Sequence, residues 1–113
     1  MNYSLIESQM SIDCTYNVKN VGVVLGGTVL QGTFSLGSVY YLGPSKGGNF
    51  IPVSIKTIQE NRINAQIITT GTSACVSIKS AGQANTTLDL QSLLKTSYKR
   101  KGLFLIGVNA KFA

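Results

Sequence analysis

The chain has 113 residues, enough for one domain with a single core and too few for two. Hydrophobic residues make up 43% and charged ones only 12%, so polar character comes chiefly from Ser, Thr, Asn and Gln, a balance that favours strands over exposed helices. With no His and two Cys a tetrahedral zinc set is excluded, while ten Lys and Arg against four Asp and Glu leave a net charge of +6 that points to an acidic partner such as nucleic acid.

Residues 1–10 have too little pattern to assign and are expected to be a tail or linker, with a single domain over 11–113. From Ser11 to Val18, Ile12, Cys14, Tyr16 and Val18 alternate with Asp13, Thr15 and Asn17, the period of a strand with one buried face. Lys19 and Asn20 turn it into a second strand beginning at Val21, which should run back antiparallel and end at Gly26-Gly27. The whole stretch from Asn20 to Pro44 is timed by glycines. Gly32 and Gly37 follow apolar runs and are expected to take positive φ. Val39 to Leu42 forms the next strand, with Tyr40 and Tyr41 on opposite faces, one in the core and one wet.

The longest strand pattern runs from Phe50 onward, with Val53, Ile55 and Thr57 on one side and Ser54, Lys56 and Ile58 on the other. Glu60-Asn61-Arg62 is a bend. Ala65 to Thr70 and Ser73 to Lys79 follow as strands, the latter with Ala74, Val76 and Ile78 on one face. Leu90, Leu93 and Leu94 at helical spacing behind Thr86 or Thr87 make one short helix, the only helical pattern in the chain. Leu103 to Phe112 closes the succession. Six or seven short strands with one short helix describe an all-β domain, and closure into a barrel removes the edges that so many strands would otherwise expose.

Catalytic machinery is hard to assemble from these residues. Glu7, Asp13, Glu60 and Asp89 share no motif, no base of ordinary strength accompanies the Ser and Cys residues, and Gly43 to Gly48 lacks the spacing of a phosphate-binding loop. The chain is therefore expected to be no enzyme by itself. Cys14 and Cys75 sit in apolar, strand-like settings and read as buried reduced thiols, a disulfide being the alternative. No apolar run reaches membrane length and the N-terminus lacks the features of a signal peptide, so a cytoplasmic setting and no membrane partner are expected. Charge concentrates in Lys56, Arg62 and Lys79, and in Lys95, Lys99, Arg100 and Lys101 beside Tyr98, where cations next to an aromatic can meet phosphates while a base stacks. Each could equally be a solvated surface residue.

The ordered succession VGVVLGGTVLQG, Leu36-Gly37, YYLGP, Gly48-Asn49-Phe50, Ile55 to Arg62, Thr70-Gly71-Thr72 and Arg100-Lys101-Gly102 resembles domain two of translational GTPases of the elongation factor Tu class, and within it the GTP-binding protein one and two branch. The resemblance runs from about Ile12 to Val108. It departs at Asn20, where the family has a glycine, and between Ser80 and Tyr98, a longer link than usual. It implies a closed six-stranded antiparallel barrel of Greek-key-like connectivity beside a GTPase domain, helping to hold tRNA or ribosomal RNA. The chain is then expected to be a piece of a larger GTPase, a monomer in isolation, with Lys56, Arg62, Lys79, Tyr98, Lys99, Arg100 and Lys101 as RNA-contact candidates. No cofactor or metal is expected in this chain, GTP and Mg belonging to the absent GTPase domain. Two other roles stay open: a structural relay between domains that touches no RNA, and a protein-binding barrel from an unrelated enzyme family.

Overall fold

The computed structural model describes residues 6–44, 48–81 and 102–108. They form nine strands: β1 (Ile6–Val18), β2 (Gly22–Gln31), β3 (Thr33–Ser35), β4 (Val39–Gly43), β5 (Ile51–Glu60), β6 (Ile63–Ala65), β7 (Ile67–Thr69), β8 (Ser73–Ser80) and β9 (Leu103–Val108). The order β4-β9-β1-β2-β8-β5, with β5 pairing back onto β4, closes a six-stranded barrel in which every pairing is antiparallel. Beyond the ring, β6 extends the β5 hairpin and β3 pairs with β7 as a separate two-stranded sheet. Among the described residues there is no helix; the helical pattern around Leu90 to Leu94 lies outside them.

The core is the barrel interior. Met10, Leu25, Leu42, Val53, Val76 and Leu105 are wholly buried there, each contributing about 1.5 to 3 kcal/mol of transfer free energy. Ala74, Val76 and Ile78 all face inward, as their alternation requires, and Gly32 and Gly37 have φ of 71° and 81°.

β5 and β1 depart from simple alternation, each because of a register shift. In β5 the shift falls between Ile55 and Thr57, so the extra residue Lys56 swings outward and both Ile55 and Ile58 are buried. Strict period two had set Ile58 on the opposite face from Ile55. In β1 the shift between Ile12 and Cys14 leaves Asp13 without a register partner. Ser8, Met10 and Ile12 point into the barrel before it, while past it Cys14 is half-buried and Tyr16 exposed. The strand also starts at Ile6, five residues ahead of the expected Ser11, because 6–12 pair with β9 and Ser8 and Met10 fill the interior.

The glycine pair does not end β2. Gly26 and Gly27 lie inside the strand and pair with both β1 and β8. At Gly27 a Cβ would run into the Ser11 carbonyl oxygen, so glycine is needed for close approach of β1 and not for a turn.

Tyr40 is the core member of its pair, 7% exposed, its ring 4.6 Å from that of Phe34; Tyr41 is half-buried. The Tyr40 hydroxyl accepts a hydrogen bond from the Ser35 amide at 2.8 Å, tying β4 to the β3–β7 sheet. Tyr40→Phe strands that amide and should cost about 1 to 2 kcal/mol in urea denaturation, with the barrel otherwise intact. An unchanged midpoint would show that the bond carries no stability.

Candidate nucleic-acid interface

A cleft of about 390 Å³ opens on the outer wall where β1, β2, β8 and the β5–β6 turn meet. Its floor is Gly26 and Gly27, flanked by Asp13 and Cys14 from β1 and by Ser73 to Cys75 from β8. Gln59, Asn61 and Arg62 form the opposite rim. Position 26 has no side chain because the Cys14 sulfur lies over it: a Cβ there would be 2.7 Å from the Cys14 sulfur and 3.8 Å from the Cys75 sulfur.

The rim is held by a two-residue turn. Glu60 pairs with Ile63 across it, and Asn61 and Arg62 have φ of 52° and 67°. Positive φ at both positions is the primed turn that matches strand twist, in which Asn suits the first place and glycine the second. Here arginine occupies the glycine place, at a backbone cost of about 1 kcal/mol. Strain of this kind on a rim directs attention to the side chain it presents. Among the described residues Arg62 has neither ion pair nor hydrogen bond, so its guanidinium is free to meet an anion.

The other described cations lie elsewhere. Lys79 sits opposite Ser54, whereas Cys75 sits opposite Gln59, so Lys79 belongs to the other end of β8 from the cleft. Lys56 is also remote, separated from Glu60 by roughly 13 Å of strand. Its ammonium donates to the Val21 carbonyl at 2.5 Å, bracing the β1–β2 turn. Tyr98, Lys99, Arg100 and Lys101 lie outside the described residues. Of the sequence candidates among the described residues, Arg62 alone lines the cleft. Gln59, Asn61, Ser73 and the two thiols were not picked out as site residues, since nothing in a linear reading brings three strands and a turn together.

Both cysteines are free, but they are not core thiols. Cys14 is half-buried and Cys75 exposed, because alternation in β8 and the register shift in β1 turn them outward. Tyr16 shares that face. A hydrogen bond with Cys14, followed by charge repulsion from that thiol, raises its hydroxyl above the ordinary value of 10.0, with a smaller push from Cys75. Cys14→Ala should therefore lower the ionisation midpoint of one tyrosine in an ultraviolet titration. No movement would place Tyr16 away from the thiol.

The fold of this six-stranded closed barrel is also found within a solved translation elongation factor. Translation elongation factor SelB from Methanococcus maripaludis superposes with a TM-score of 0.66 over 88% of this chain at 18% identity, covering 18% of that protein. Its complex with the GTP analogue GppNHp gives 0.64 at 16% identity, over the same 88% and 18% of the two chains. More particularly, the chain is homologous to a segment of GTP-binding proteins 1 and 2. It is 30% identical to GTP-binding protein 1 of Xenopus laevis over 99 residues, 88% of this chain and 13% of that protein. It is also 30% identical to GTP-binding protein 2 of Homo sapiens over 71 residues, 63% of this chain and 12% of the relative. The chain thus spans about an eighth of the relatives it matches. No family model matches it.

Proposed function

We propose that this barrel is the non-catalytic second domain of an elongation-factor-like GTP-binding protein, and that it contacts RNA through the cleft rimmed by Arg62. The observation that carries the reading is an arginine without a partner among the described residues, held at unfavourable φ beside a cleft, on a chain of net charge +6 homologous to GTP-binding proteins. A guanidinium takes phosphate oxygens in a two-pronged geometry, and the amides of Gln59 and Asn61 with the Ser73 hydroxyl can hydrogen-bond sugar or base edges. The chain would supply shape and charge; GTP, its Mg ion and hydrolysis would belong to the GTPase domain of the parent protein, in a cytoplasmic setting.

That GTPase domain is the second proposed partner. Leu36 just past the end of β3, bonded to the Gln66 carbonyl, Ile67 opposite Ser35 in β7, and Val39 at the start of β4 are all exposed, Ile67 to 54%. Clustered exposed apolar side chains of this size favour burial against another domain.

Fluorescence anisotropy of labelled tRNA with this chain tests the RNA reading. Binding should weaken as salt rises, with log Kd linear in log salt, and GTP should produce no heat in calorimetry. RNA binding indifferent to salt, or saturable GTP binding, would refute it.

A further inference from the structure

The cleft carries nucleophiles that RNA contact does not use. Cys14 and Cys75 stand at the same level on the two strands flanking β2, each opposite Gly26. Their sulfurs lie within about 6.5 Å of each other, the sum of their 2.7 and 3.8 Å distances from a Cβ at position 26. They are nonetheless unable to join. Two strand spacings separate the backbones by roughly 9.5 Å, whereas a disulfide needs Cα atoms about 4.4 to 6.8 Å apart. An oxidised sulfur on one of them therefore has no internal thiol to resolve it.

We propose that Cys75 is a site of mixed-disulfide formation with a small anionic disulfide of the glutathione type, which Arg62 draws into the cleft. In the step, the Cys75 thiolate attacks one sulfur of the external disulfide. A new sulfur–sulfur bond forms at Cys75, the external one breaks, and the second half leaves as a thiolate that takes a proton from solvent. Cys75 is the exposed thiol of the two, whereas Cys14 is half-buried with its sulfur 4.0 Å from the Gly26 carbonyl oxygen. The cleft, at about 390 Å³, has room for a tripeptide. Arg62 lines the same cleft and is unpaired among the described residues, so it complements the carboxylates of such a reagent. Asp13, the other charged lining residue, stands on the β1 side and would disfavour an anion bound there, leaving the Arg62 side as the seat. The inference stands on the cleft and its thiols, independently of whether RNA binds.

Intact-mass time courses on the reduced chain, with glutathione disulfide and with the uncharged 2-hydroxyethyl disulfide, provide the test. The expected result is a single glutathionyl adduct that peptide mapping places on Cys75 and that Cys75→Ser abolishes. Arg62→Gln should slow the anionic reagent about threefold or more relative to the neutral one, and raised salt should do the same to the wild type. First modification at Cys14, loss of two hydrogens in an internal disulfide, or an unchanged ratio of the two rates in Arg62→Gln would each overturn the proposal. Circular dichroism of both variants confirms that a changed rate is read from a folded barrel.

Discussion

Gly27→Val will unfold the barrel or bring it close to unfolding, at a cost above about 3 kcal/mol in urea denaturation. The new Cβ would overlap the Ser11 carbonyl oxygen and stand 2.9 Å from its carbon and 3.1 Å from the Ile12 Cα. Those are backbone atoms of the paired strand and cannot rotate aside. Relief would require β1 to move away from β2, breaking a ladder that runs from Gln9 to Val18 and exposing Met10 and Ile12. A domain with total stability on the order of 5 to 15 kcal/mol has little room for that loss. Gly71→Ala is the matched control. A Cβ there meets nothing within 4 Å, and only its φ of 90° opposes a side chain, so about 1 kcal/mol is expected. Equal costs for the two substitutions would show that strand contact at Gly27 is not limiting.

Arg62→Gly should move stability and binding in opposite directions. The second place of the turn has φ of 67°, which glycine adopts freely, so the fold should gain up to about 0.5 kcal/mol once the extra entropy of the unfolded chain is subtracted. Removing the guanidinium should at the same time weaken tRNA binding about tenfold and flatten its salt dependence by roughly one phosphate contact. A residue that strains its own turn and is missed only when RNA is present is kept for contact. Arg62→Lys separates charge from shape: if a two-pronged contact operates, lysine restores only part of the affinity, since its ammonium is a point charge. Should glycine leave RNA affinity intact, the cleft is not the interface.

Much of the architecture could be read from alternation and punctuation. Ala74, Val76 and Ile78 pointed inward from their spacing alone, Gly32 and Gly37 marked reversals, and the order of motifs gave the resemblance to a six-stranded domain. What failed was phase. A bulge adds one residue and shifts every later side chain to the other face, and neither Asp13 nor Lys56 differs locally from an ordinary strand residue. The same limit hid Cys14, which simple alternation placed with Ile12. Gly26-Gly27 looked like a turn because the cause of the glycines lies across the ladder, in the Ser11 carbonyl and the Cys14 sulfur. The cleft was illegible for a related reason: its walls come from positions 13, 26, 59 and 75, which only the closed ring brings together. Arg62 was visible as a charge, but its φ and its place on the rim were not.

The position of β9 has a bearing on how the molecule is made. The last of the described strands, it is the keystone between β1 and β4, so two early strands each keep an unsatisfied edge until translation has passed Val108. Assembly must wait for the most distant pairing in the ring, which belongs to the slow class of all-β folding, with times of milliseconds to seconds. Nascent chains halted before Leu103 would present two ready templates for intermolecular pairing, and demand for chaperones should fall sharply once β9 leaves the ribosomal tunnel.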